Sequence, residues 1–442
     1  MSDGATTIHA PESERVPPGY KRIEVGVIAE EWEVANLASL GDGSDPPIKA
    51  GPFGSALTKA TYVPVGYKVY GQEQVIRGDY QYGDYFVSHA KFKELESCSV
   101  KSGDILLSLV GTAGKLLVIP RNAPKGIINP RLIRFSFDKE RVDSEFFKEL
   151  FEAGQIQSYL ERYAQGGTMG VLNASILRAV NIPLPPLPEQ RAIAAALSDV
   201  DDSISALDAL IAKKRAVKTA AMQRLLTGKH RLPGFDGEWE TRRLGDIFAL
   251  LSTASNARSD LMEDGDIGYI HYGDIHGTDS SFLDCDAEET PHIASHLVKN
   301  IPLLEEGDLV MADASEDYDG IGKSIEVKNV RGRKLVAGLH TLLLRGNKAV
   351  AADGFKGYLQ YIPALRSALI RLSTGISVYG ISKNNVRSIE ISLPSIEEQT
   401  AIAAVLSDMD AKIESLEARR EKTRKVKRGM MGELLTGRTR LV

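Results

Sequence analysis

Residues 182–232 read IPLPPLPEQRAIAAALSDVDDSISALDALIAKKRAVKTAAMQRLLTGKHRL, and residues 391–441 read ISLPSIEEQTAIAAVLSDMDAKIESLEARREKTRKVKRGMMGELLTGRTRL. The register is constant. Glu189 answers Glu398, Gln190 answers Gln399, Leu197 answers Leu406 and Gly228 answers Gly437, each pair 209 apart (398−189, 437−228). A repeat of this length is no solenoid unit; it duplicates half the chain.

Each copy reads as one long helix. Pro185, Pro186 and Pro188 interrupt whatever precedes the first copy and suit a helix entry. Ile193, Leu197, Val200, Ile204, Leu207 and Ile211 then follow in steps of four and three, as do Ile402, Leu406, Met409, Ile413 and Leu416. The seam degrades at Lys214 and Lys218, and at Arg420, Thr423 and Lys427, and recovers at Leu225 and Leu434. Gly228 and Gly437 stand where a C-terminal stop belongs. Glu189 to Leu226 would make a straight rod of roughly 57 Å. An isolated rod would leave its seam in water, and the matching seam is the other copy.

Charge sets the orientation. Glu189, Asp199, Asp201, Asp202 and Asp208 fill the first half of one copy; Lys213, Lys214, Arg215, Lys218, Arg224, Lys229 and Arg231 fill the second. The other copy has the same polarity, from Glu397, Glu398, Asp408 and Asp410 to Arg419, Arg420, Lys422, Arg424, Lys425, Lys427 and Arg428. The gradient suits each helix's own dipole. It also predicts an antiparallel coiled coil, in which acid meets base along the rods.

The 442 residues allow two or three domains, and 43% hydrophobic with 26% charged residues is an ordinary globular profile. Cys98 and Cys285 lack disulfide or zinc spacing and fit a reducing compartment. The start has no signal-type apolar core and no run spans a bilayer, so a cytoplasmic protein without a membrane partner is expected. A net charge of −5 argues against coating nucleic acid by bulk charge, but leaves room for local basic surfaces.

The chain in order is a flexible N-terminus (1–19), a variable domain (20–183), a helical spacer (184–231), a second variable domain (232–392) and a C-terminal helical spacer (393–442). Strands are expected at Gly66–Tyr70, Asp104–Val110 and Leu116–Ile119, and a helix at Ser144–Tyr163. The second domain answers with Glu238-Trp239-Glu240 for Glu31-Trp32-Glu33, Gly307-Asp308 for Gly103-Asp104, and a helix at Phe355–Leu372. Elsewhere the two domains scarcely match. The expected fold class is α+β: two β-rich domains separated by two long helices in an antiparallel coiled coil, pseudo-two-fold symmetric.

The paired Pro188-Glu189-Gln190 and Glu397-Glu398-Gln399 entries, the Ala-Ile-Ala and Leu-Ser-Asp that follow, and the Leu-Leu-Thr-Gly ends resemble the specificity subunit of a type I restriction–modification system. Gly51-Pro52-Phe53-Gly54-Ser55 and Gly103-Asp104-Ile105-Leu106-Leu107-Ser108 with Gly111 and Gly114 add to it. The resemblance covers nearly the whole chain, although Met311-Ala312-Asp313-Ala314-Ser315 departs from the family phrase. It implies a non-catalytic subunit. Each domain would read one half of an interrupted double-stranded DNA target. The rods would set the gap and dock two methyltransferase subunits, with restriction subunits added. S-adenosylmethionine, ATP and Mg would sit on those partners and no cofactor on this chain.

Arg and Lys pair with guanine and Asn and Gln with adenine, while phosphate contacts position the protein. On that basis the DNA-contact candidates in the first domain are Lys59, Tyr62, Gln72, Gln74, Arg77, His89, Lys91, Ser108, Thr112, Lys115, Arg131 and Thr168. In the second they are Tyr272, Asp274, His276, Ser315, Lys323, His340 and Ser377. Each is equally readable as a solvated surface residue. Partner docking is assigned to Glu189, Gln190, Leu197, Leu225, Glu398, Gln399, Leu406 and Leu434.

Two rival functions remain: a coiled-coil scaffold without DNA specificity, and a nuclease using Asp308, Glu326 and Lys328 as a D…ExK set. Gly322-Lys323-Ser324 lacks P-loop spacing, and no Asn/Asp-Pro-Pro-Tyr methyltransferase string occurs. His292 and His296 would share a helix face as a metal pair, with no evident third ligand.

Overall fold

A computed structural model describes residues 16–43, 45–53, 55–109, 114–164 and 174–441, and the side chains of these except 161–164. The chain divides into two compact units, Met1–Leu207 with Arg419–Val442, and Asp208–Ala418.

In the first unit a four-stranded antiparallel sheet runs in the order Leu116–Val118, Ile105–Ser108, Leu132–Phe135, Ile48–Ala50. A five-stranded sheet runs Tyr62–Val63, Phe86–Val87, Tyr67–Tyr70, Gly126–Ile128, Ser99–Val100, with Tyr67–Tyr70 parallel to Gly126–Ile128. The expected strands are therefore present, shorter by one residue at Gly66–Tyr70 and Leu116–Ile119 and reduced to Ile105–Ser108 within Asp104–Val110, of which Val110 lies outside the described residues. The helix expected over 144–163 is two helices, Ser144–Glu152 and Gln155–Ala164. Gly154, at φ +85°, takes the left-handed conformation that ends the first of them. Asp143 caps that helix by accepting from the Glu145 and Phe146 amides, and Phe146, Phe147 and Leu150 are fully buried in the core.

The second unit has a five-stranded sheet in the order Phe248–Leu251, Thr341–Gly346, Leu309–Ala312, Ser324–Lys328, Phe282–Asp284. A three-stranded sheet joins His292–Ile293, Ile267–Ile270 and Leu335–Ala337, the last two parallel. The helix expected over 355–372 begins as a 3₁₀ turn, Lys356–Tyr361, and becomes α-helical only at Pro363–Leu372. Pro363 has no amide hydrogen to continue a preceding helix but suits the first turn of a new one.

A correspondence that sequence did not reveal appears here. In the first unit, strand Tyr67–Tyr70 leads into the short helix Gln72–Arg77 and pairs in parallel with Gly126–Ile128. In the second, Ile267–Ile270 leads into Tyr272–Gly277 and pairs in parallel with Leu335–Ala337. The two short helices occupy the same place in the two domains.

The rods are single helices of 39 residues each, Leu187–Leu225 and Ile396–Leu434. Ile193, Leu197, Leu207, Ile211, Ile402, Leu406 and Ile413 of the seam are buried. Within each unit the rods run antiparallel. In the first, Glu189 meets Arg440 and Asp201 meets Lys427 at 2.6 Å, so an advance along one rod matches a retreat along the other. In the second, Arg231 meets Glu398, Lys218 meets Asp410 and Arg215 meets Glu417. Lys427 also reaches Glu149 at 2.9 Å, tying rod to domain.

Candidate nucleic-acid interface

The helix Gln72–Arg77 starts at Gly71, where a Cβ would stand 2.8 Å from Asn129 Nδ2. Gln74 closes that start, its Oε1 accepting from the Gly71 amide, while its Nε2 donates to the Tyr82 carbonyl at 2.8 Å. At 2% exposure Gln74 holds the loop rather than facing a ligand. Lys68, also buried, donates to the carbonyls of Gln81 and Gly83. Burial lowers its pKa, with Asp84 and Asp79 opposing. The turn after the helix is thus pinned from beneath at three successive carbonyls. On it lies Tyr82, with the exposed Arg77 guanidinium 4.1 Å from the ring centroid.

Around this stand further aromatic groups. Tyr62 packs on Tyr85 at 5.2 Å, and burial raises the Tyr62 phenol's pKa, as does Tyr85, against the pull of Arg131. His89 Nδ1 lies 3.1 Å from the Tyr67 hydroxyl. Gln72 is half-buried and heads the short helix. Lys59, Lys115 and Arg131 are exposed, and Lys91 pairs with Glu94 at 2.7 Å. Ser108 departs from the surface role expected of it. It is fully buried and accepts from the Lys115 amide, closing the hairpin between Ile105–Ser108 and Leu116–Val118. Thr112 and Thr168 lie outside the described residues, as do Gly54 and Gly111.

In the second domain six of the seven candidates converge. Tyr272 has three histidine rings about it, His271 at 4.5 Å, His340 at 5.4 Å and His276 at 5.8 Å. His276 Nε2 lies 2.9 Å from the Ala314 carbonyl, next to Ser315, and Lys323 donates to the His276 carbonyl. His340, at φ +54°, meets Asp313 at 3.3 Å. Asp274 accepts from the His271 amide and from Arg258, both at 2.9 Å. His271 Nδ1 accepts from the Gly273 amide, and burial lowers the His271 pKa against the opposing pull of Asp274. Asp274, Lys323 and the nearly buried Ser315 (6% exposed) are thus occupied internally, as is His276 through Nε2, and the half-buried Tyr272 and exposed His340 carry the outward chemistry. Ser377 sits apart, on the exposed tip of a hairpin closed by Thr374 and Gly380. On that hairpin Tyr379 stacks on Tyr318 at 4.1 Å, a pair not picked out from sequence.

The eight rod residues assigned to partner docking face inward instead. Glu189, Gln190, Leu197, Leu225, Glu398, Gln399, Leu406 and Leu434 are all at most 5% exposed. Gln190 accepts from the Asp143 amide and donates to the Arg141 and Pro185 carbonyls; Gln399 does the same with Ala352, Val350 and Pro394. Glu189 takes the Arg440 guanidinium and the Trp32 indole N–H. Glu398 takes Arg231 through two bonds of 2.6 Å. The Glu-Gln pairs thus clasp each rod's start to a domain and to the other rod's end. A polar pair at a helix entry reads like a docking motif, but here its hydrogen bonds are satisfied within the chain.

The D…ExK set is likewise spent internally. Asp308 is held by Arg345, Glu326 is fully buried and accepts from the Gly354 and Gly357 amides, and Lys328 lies 3.2 Å from the Phe282 ring centroid. His292 is in a strand and His296 in a 3₁₀ turn, so they share no helix face. Among the described residues no His, Cys, Asp and Glu cluster could hold a metal, and no helix is long and apolar enough to cross a membrane.

Residues 51–213 and 339–424 match the family model described as the type I restriction modification DNA specificity domain. The chain is 24% identical, over 96% of its length and 97% of the relative's, to a Methanocaldococcus jannaschii protein assigned as the MjaX type I restriction enzyme specificity subunit. It is 27% identical, over 77% of its length and 80% of the relative's, to the MjaVIII specificity subunit of the same organism. The crystal structure of a type I restriction–modification S subunit from M. genitalium superposes with a TM-score of 0.53 at 16% identity, covering 91% of this chain and 96% of that one. The chain belongs to the type I restriction–modification specificity family. It is a DNA-recognition component of such a system, acting with other subunits and without catalytic chemistry of its own.

Proposed function

We propose that this chain reads an interrupted double-stranded target, each variable domain contacting one half-site and the paired rods setting the unread gap. The observation that carries this is the short helix repeated at one place in two otherwise divergent domains, with Gln72 and Arg77 on one and Tyr272 and His276 on the other. Two unlike readers on a duplicated frame suit an asymmetric split site, as dimeric readers suit a symmetric one. Two methyltransferase subunits dock on the outer rod faces, where Lys213, Lys214, Val217, Lys422, Lys425 and Val426 are exposed, and restriction subunits add to them. S-adenosylmethionine, ATP and Mg are bound by those partners in the cytoplasm. The working domain boundaries are 20–183 and 232–392, flanked by rods at 184–231 and 393–442.

Genome-wide mapping of methylated adenines, with and without this gene, tests the reading. One split motif that vanishes with the gene is expected. An unchanged methylation map, with no duplex bound by the assembled complex, would leave only the scaffold function.

A further inference from the structure

We infer that Arg77, set over the Tyr82 ring, reads a guanine in the half-site of the first domain; this rests on the split-target reading above. Arginine recognises guanine by presenting two donors of its planar fork to O6 and N7 at once. That needs the plane of the fork fixed before the base arrives, because ordering a long side chain on binding costs affinity. Tyr82 supplies a ring face for it to rest on, with the guanidinium carbon 4.1 Å from the ring centroid. The turn that carries Tyr82 is itself immobilised, by Gln74 on the Tyr82 carbonyl and by buried Lys68 on the carbonyls either side.

Among the described residues the donors of Arg77 are unspent. Among the described residues it makes no ion pair, whereas Arg258, Arg331 and Arg345 of the second domain are each bound to a carboxylate. A phosphate contact would not require this arrangement, since exposed Lys59 or Lys115 supplies a mobile charge without a platform. The equivalent short helix of the second domain ends in Gly277, so the device belongs to one half-site alone.

The test uses the chain assembled with its methylation partners and duplexes carrying the mapped site. Each guanine of the first half-site is replaced in turn by 7-deazaguanine, which lacks the N7 acceptor. Wild type should lose about 5- to 150-fold in affinity at one guanine and little at the others. Arg77→Lys, which keeps the charge but not the planar fork, should lose affinity on the native duplex and respond less than wild type to 7-deazaguanine at that position. Tyr82→Phe should bind as wild type, and Tyr82→Ala should weaken binding at that same base pair. Because Arg77 and Tyr82 are solvent-facing, the melting temperature of Arg77→Lys should be unchanged. A first half-site without guanine overturns the inference, as does an Arg77→Lys loss that is equal on cognate and unrelated duplexes. A wild-type complex that fails to discriminate cognate DNA would instead sink the split-target reading itself.

Discussion

The two units use one frame in two chemical styles. Residues 20–183 carry 19 Lys and Arg against 19 Asp and Glu, whereas residues 232–392 carry 16 against 24, a net charge of −8. The first domain presents Arg77 beside tyrosines; the second presents histidines around Tyr272. The rod-end clasps differ in the same way. In the first, Trp32 is 1% exposed, donates to Glu189 and lies under Arg440, which also pairs with Glu31. In the second, Trp239 is half-buried and its indole N–H meets no acceptor among the described residues, although Arg231 lies 5.9 Å from its ring. Duplication preserved the Glu–Arg pair of the clasp and left its surroundings free to diverge.

The harshest way to break the comparison is to lengthen both rods together. Inserting about seven residues, two helical turns, into each should abolish methylation of the native site and create a target with a wider gap. A methylation map with the original spacing would show that the rods do not set it.

Next come the clasps. Glu189→Ala takes from Arg440 one of its two carboxylates, leaving Glu31, and leaves the Trp32 N–H without its acceptor; it should cost about 2–4 kcal/mol, discounted because Arg440 reaches solvent. Glu398→Ala should cost less, since no indole depends on Glu398. Chemical denaturation with Trp32 and Trp239 fluorescence separates the two, and equal losses would deny the asymmetry.

Gly437→Ala sharpens the same contrast. Gly437 is at φ +74°, and a Cβ there would stand 2.7 Å from the Ala29 Cβ; at Gly228, at φ +66°, the nearest atom is Trp239 at 3.3 Å. Both substitutions suffer the left-handed strain of about 1 kcal/mol. Gly437→Ala should lose visibly more, read as melting temperature.

A duplex with only the first half-site intact should bind with a steeper salt dependence than one with only the second, because counterion release follows the cations brought to phosphate. The smallest effect expected is at His271. Its folded pKa is lowered, so below the ordinary value of about 6.5 the unfolded chain takes up protons more readily. Stability of the second unit should therefore fall as pH drops through that region. His271→Asn, which cannot titrate there, should flatten the fall.

The rods were legible because heptad spacing and charge polarity are local patterns, and a repeat offset of 209 confirms each half against the other. The shared strand–helix–strand was not legible. Tyr70-Gly71-Gln72-Glu73-Gln74-Val75-Ile76-Arg77 and Ile270-His271-Tyr272-Gly273-Asp274-Ile275-His276-Gly277 share no identical position, and only the parallel pairing with distant strands aligns them. Site residues were harder still. Gln74 and Ser108 have the polarity of DNA contacts, but their hydrogen bonds close a loop and a hairpin. Tyr82 gains meaning only once the turn after Gly78 folds it back under Arg77.

The first unit is assembled from chain ends, Met1–Leu207 and Arg419–Val442, whereas the second is one continuous stretch, Asp208–Ala418. A ribosome adds about 5–20 residues per second. The 211 residues between Leu207 and Arg419 therefore impose a wait of roughly 10–40 s at that rate. During it the newborn first domain lacks the helix that carries Lys427 and Leu434 and the segment after it that carries Arg440, while the later-made domain already has every piece it needs. The order of birth and the order of completion are thus reversed, and a nascent chain stalled before Arg419 should display a finished second unit beside an open first one.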